Sequence, residues 1–176
     1  MHPLLANRME EMKASEIREL LKLTEQPDMI SFAGGLPDAD LFPVERIAAV
    51  RERIMKEQAK EALQYSVTEG YLPLREQIAA RMNRLQGTAI TAREVLITNG
   101  SQQGLDLTGK LFLNEGDVVL CESPTYLGAL NAFRGYRPKF VEVDTDEDGM
   151  KLEHLDELLQ THPVKLIYVN PNFQNP

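Results

Sequence analysis

A single cysteine, Cys121, is all the sequence holds, so no internal disulfide can form and a reducing cytoplasm is the expected setting. It lies in the apolar run Val118-Val119-Leu120-Cys121 with no neighbour to stabilise a thiolate, which fits a buried strand thiol better than a nucleophile. Basic residues are in deficit: 19 Lys and Arg stand against 27 Asp and Glu, for a formal net charge of -8. They are scattered among acids, as in Arg51-Glu52-Arg53, which argues against nucleic-acid binding, since phosphate contacts need clustered cations. No apolar run approaches the roughly 20 residues that span a bilayer. The opening Met1-His2-Pro3-Leu4-Leu5 turns polar too soon for a signal peptide. No membrane partner is expected.

Metal-binding patterns are also missing. The three histidines, His2, His154 and His162, lack ligand spacing and read as surface residues. Asp144-Thr145-Asp146-Glu147-Asp148-Gly149 copies the first half of a calcium loop. Its twelfth position would be Leu155 instead of a bidentate Glu, and a strand precedes it. An acidic turn between strand and helix is the better reading.

What is present is enough for a packed core: 43% of the 176 residues are hydrophobic. Apolar spacing predicts a helix from Ala6 to Leu23, a short extended piece at Met29–Phe32, and irregular chain through Ala33-Gly34-Gly35-Leu36-Pro37. Two more helices are expected, over Val44–Lys60 and about Pro73–Leu85; proline is tolerated in a first helical turn. From residue 95 the pattern alternates. Strands are predicted at Val95–Ile97, Val118–Cys121, Phe140–Val143 and Leu166–Val169. Helices fall between them at Gln102–Leu113, Tyr126–Arg134 and Leu152–Leu159. Strand and helix in alternation imply an α/β fold with a parallel sheet. The last residues follow an apparently central strand, and an unfinished sheet leaves unpaired backbone groups, so the sequence reads as a fragment.

Three strand ends carry polar segments. Asn99-Gly100-Ser101-Gln102-Gln103-Gly104 opens a helix, where free N–H groups and the helix dipole attract a phosphate. It matches neither the dinucleotide nor the Walker pattern. In Glu122-Ser123-Pro124-Thr125-Tyr126 the tyrosine could stack on a flat ring, and in Asn170–Pro176 the amide of Asn175 can both donate and accept. Each has a plainer alternative: Ser101 as an ordinary N-cap, Tyr126 packed under its own helix, Asn175 as one of several turn formers. Together, at one end of a sheet, they make a stronger case than singly.

These segments, with Ser31–Pro37, Leu63-Gln64-Tyr65-Ser66, Thr68–Tyr71 and Leu74-Arg75, run in the order and spacing of a known family. The sequence resembles the N-terminal half of class I/II aminotransferases of fold type I, and most closely the branch of 2-aminoadipate and multi-substrate aminotransferases. That resemblance implies a partial pyridoxal-phosphate (PLP) transferase fold: residues 1–60 as an N-terminal arm with a small-domain contribution, and residues 61–176 as the first part of the large cofactor-binding domain. It implies PLP as cofactor, with Gly100, Ser101 and Gln102 at its phosphate, Tyr126 on its ring and Asn175 at its ring hydroxyl. Tyr65 would reach the phosphate site of a neighbouring subunit, making a cytoplasmic homodimer with shared sites. Gly35, Asn175 and Arg18 would meet the substrate, an amino acid or its 2-oxo acid partner. Family members are about twice as long, and the other half carries the Schiff-base lysine; no lysine here matches its position, so no catalytic residue is expected in this chain. The alternative is a non-catalytic module that binds or self-associates.

Overall fold

In the computed structural model, residues 4–10 and 37–175 are described, and they fall into two units: residues 4–10 with 98–175, and residues 37–97. The second half of the chain builds a four-stranded sheet. Its strands are β1 (Val118–Ser123), β2 (Lys139–Asp146), β3 (Gly149–Met150) and β4 (Val164–Tyr168), in the spatial order β3-β2-β1-β4. β1 pairs in parallel with β2 on one side and β4 on the other; only β3 runs antiparallel, against the end of β2. The mainly parallel α/β sheet expected from the alternating pattern is therefore present.

Both faces of β1 are covered, which is why it reads as a continuous apolar run instead of an alternating one. Val119 packs with Leu113, Ala129 and Phe133 on one face. Val118 and Leu120 pack with Val143 and Leu158 on the other. The helices supplying these partners are α4 (Ser101–Phe112) and α5 (Leu127–Arg134) on the first face, and α6 (Leu152–Thr161) on the second. Val119, Leu120 and Val143 are wholly buried. Each such side chain contributes about 1.5–3 kcal/mol of transfer free energy. Cys121 is buried in the same strand, and burial, then the Glu142 and Glu122 carboxylates, push its thiol pKa up. The thiol is thereby held protonated and unreactive.

Residues 37–97 form α1 (Val44–Glu57), a single turn α2 (Ala59–Ala62) and α3 (Leu72–Gln86). The expected Val44–Lys60 helix thus breaks at Gln58, whose backbone leaves helical geometry (ψ 25°). Pro73 sits in the first turn of α3, and Gly87 closes that helix in the left-handed conformation. The strand expected at Val95–Ile97 is a correction. Its backbone is extended at Val95, yet among the described residues no strand lies beside it, and the Ile97 N–H instead donates to Glu69 O at 3.0 Å. The acidic turn is also more structured than expected. Asp148 N–H donates to Asp146 Oδ1 at 2.9 Å, and the chain reverses into β3 before α6 begins. Of the predicted first helix, Ala6 is irregular and Asn7–Glu10 forms a 3-10 turn; residues 11–23 and Met29–Phe32 lie outside the described residues. Among the described residues no helix is long and apolar enough to cross a membrane, and no three His, Cys, Asp or Glu side chains form a metal-binding group.

Leu120→Ala should cost about 2–5 kcal/mol in urea unfolding of the chain, since the cavity cannot collapse between two helix layers. Leu111→Ala, on an exposed position of α4, should change stability by less than about 0.5 kcal/mol.

Candidate active site

The C-terminal ends of β1 and β4 and the N-terminus of α4 converge on one cleft of about 540 Å³. That lies within the roughly 300–1,000 Å³ usual for small-molecule sites. Ser101, Gly104 and Thr108 line it from α4, Tyr126 from the segment after β1, and Tyr168, Asn170 and Asn175 from β4 and the chain beyond it.

The α4 end is built to receive an anion. Gly100 precedes it at φ 81°, ψ 172°, a region essentially closed to residues with a Cβ, and no side chain caps the helix. Gly104 N–H returns to Gly100 O at 3.4 Å. The N–H groups of Ser101, Gln102 and Gln103 have no hydrogen-bond partner among the described residues. Three unpartnered donors at the positive end of a helix dipole, with the Ser101 hydroxyl beside them, suit a phosphate dianion. The Asn99 N–H is held away from this role by Gln103 Oε1 at 2.6 Å.

Tyr126 supplies the aromatic surface. Its ring lies against the first turn of α5, where a Cβ at residue 128 would overlap it; Gly128 leaves that space open. Tyr168 closes the floor, edge-on to Phe133 with ring centroids 6.1 Å apart. Burial, then the nearby Tyr126 and Glu122, raise the Tyr168 phenol pKa, so it stays protonated and able to donate. Asn175 places an amide at the rim. A phosphate cradle, an aromatic platform and an amide are the groups a phosphorylated pyridine would need, and the residues present fit one.

Of the expected site residues, Gly100, Ser101, Tyr126 and Asn175 come together at this cleft. Gln102 does not line it: its backbone N–H stands unpartnered at the start of α4, and its side chain donates to Gly128 O at 3.2 Å and lines a different hollow with Asp106 and Lys110. Tyr65 belongs to the other unit, where it is 98% exposed. Gly35 and Arg18 lie outside the described residues. Two residues were not anticipated. Tyr168 is the final residue of a strand at the ligand end, a position that could have flagged it. Glu122 is buried at the end of β1, where it accepts from Asn170 N–H at 2.8 Å and from Gln174 Nε2. No lysine lines the cleft among the described residues.

The family described as aminotransferase class I and II matches residues 27–176. The chain belongs to the class I and II aminotransferases. It is 47% identical over 170 residues to aromatic-amino-acid aminotransferase 1 of Thermococcus litoralis, covering 94% of this chain and 41% of that protein. It is 50% identical over 164 residues to the 2-aminoadipate transaminase of Thermus thermophilus, covering 93% and 40%. A kynurenine aminotransferase of Pyrococcus horikoshii, solved in complex with PMP, superposes with a TM-score of 0.90 at 46% identity over 98% of this chain and 44% of that one. The chain therefore spans about two fifths of the length of these relatives.

Gly100→Ala should cost about 1–3 kcal/mol by forcing a Cβ into a glycine-only conformation. Gly104→Ala, whose new Cβ would rest 3.7 Å from Thr98 Oγ1, should be neutral or gain up to about 1 kcal/mol from helix propensity. Paired urea titrations of the two variants separate the conformational effect from the cost of adding a methyl group.

Proposed function

We propose that this chain is the N-terminal portion of a PLP-dependent aminotransferase that moves an amino group between an L-amino acid and a 2-oxo acid such as 2-oxoglutarate. The observation that supports it most is the set of three unpartnered N–H groups at the start of α4, whose first residue, Ser101, lines the same cleft as Tyr126 and Asn175. Ser101 and the 101–103 backbone would hold the cofactor's phosphate, Tyr126 would lie on its ring, and Asn175 would hydrogen-bond its ring oxygen and help seat the substrate carboxylate. Bound there, the cofactor would withdraw electrons from the substrate carbon that loses its proton. The chain's own part is to bind, orient and exclude water; Tyr168, kept protonated, would serve as a fixed donor at the floor.

The proton-transferring lysine would come from outside this segment, so the 176 residues alone would not turn over. Residues 1–60 would form the arm and part of a small domain, and residues 61–176 the first part of the cofactor domain. Gly35 and Arg18 would face the substrate, with Arg18 favouring an acidic side chain. The enzyme would be a cytoplasmic homodimer with Tyr65 completing the partner's phosphate site. The near-total exposure of Tyr65 and the uncovered apolar face of α1, with Ile47 and Val50, favour such an interface.

Borohydride reduction of the PLP-loaded full-length protein, followed by peptide mass spectrometry, tests this reading. A single stoichiometric lysine adduct outside these 176 residues, with amino-group transfer from a donor amino acid, is expected. An adduct at one lysine within them, or none at all, would contradict it.

A further inference from the structure

Asn175 sits at the rim of the cleft on an irregular segment, where nothing in the secondary structure fixes it. Within that segment Phe173 is fully exposed and has a left-handed backbone, φ 52°, a conformation unusual for a bulky residue. The contacts that bracket it both end on one atom. Glu122 Oε2 accepts from the Asn170 N–H on one side of Phe173 and from Gln174 Nε2 on the other. The Gln174 amide then passes the constraint on, because its Oε1 accepts from the Asn175 N–H at 3.0 Å.

We infer that Glu122 is a positioning residue: through Gln174 it sets the orientation of Asn175, and with it the cofactor-facing side of the cleft. This rests on the reading of the cleft as a PLP site. The chemistry is directional. An ionised carboxylate only accepts, so it selects the amide orientation in which Gln174 turns its NH2 toward Glu122 and its oxygen toward Asn175. Because both bonds end on Oε2, the amide oxygen of Glu122→Gln can take that place and keep both, so this variant is the conservative control. In Glu122→Leu the acceptor is lost to Asn170 and Gln174 alike, and in Gln174→Glu two acceptors meet.

The test uses full-length protein carrying E122L, Q174E or E122Q, read by hydrogen–deuterium exchange over residues 170–175 and by PLP affinity. E122L and Q174E should each raise deuterium uptake there and weaken PLP by about tenfold, the scale of one charge-assisted hydrogen bond. E122Q should stay close to wild type in both. Q174E should also regain affinity as pH falls, because one proton shared by two facing carboxylates recreates a donor–acceptor pair. Unchanged uptake in E122L and Q174E, raised uptake with unaltered PLP affinity, or an E122Q variant as impaired as E122L would each overturn the inference. Should E122L fail to fold, Q174E and E122Q decide it. Wild-type protein that takes up no PLP would refute the cofactor reading, while the uptake pattern still judges the relay.

Discussion

The burial of β1 between two helix layers is the constraint on which the rest depends. Val119 and Leu120 point to opposite faces and are both wholly enclosed, one core gathering α4 and α5, the other α6. With parallel neighbours on both sides, β1 cannot slide without moving every one of those contacts. Its C-terminal end is therefore fixed, and Glu122 and Tyr126 are delivered to the same end of the sheet. The N-terminus of α4 is fixed by the same packing, since Leu105 and the Leu113 that follows the helix join the Val119 cluster. The cleft is thus a consequence of core packing before it is a binding site.

Electrostatics then distinguish the two ends of the sheet. Net charge is -8, yet the cleft receives the open positive end of α4. Local backbone dipoles, more than the chain's overall charge, make that corner suitable for an anion. Glu122, at the same end of the sheet, is turned inward onto Asn170 and Gln174. An acid and an anion cradle can share one sheet end because the acid's acceptor capacity is used in holding the loop.

Much of this was legible in the residues. Three of four predicted strands and the helices between them lie where β-branched runs and helical spacing put them, because the core they face is continuous. Val95–Ile97 misled for a physical reason: the local pattern suits a strand, but a ladder needs a neighbour, and none among the described residues is in reach. At the cleft, Ser101, Tyr126 and Asn175 were visible from their places at strand ends. The turn of Gln102 toward Gly128 was not, since it depends on how α4 packs against α5. Glu122 is the clearest omission. Its position in a strand covered on both faces implies burial, and a buried acid needs donors, but those donors lie 48 and 52 residues away.

The central claim is that the open end of α4 takes the cofactor's phosphate. Amide chemical shifts of isotope-labelled protein, recorded while PLP is added, test it most directly. The largest changes are expected at Ser101, Gln102 and Gln103, with little change there on adding pyridoxal, which lacks the phosphate. Equal shifts from both compounds, or shifts confined to residues outside this cleft, would contradict it.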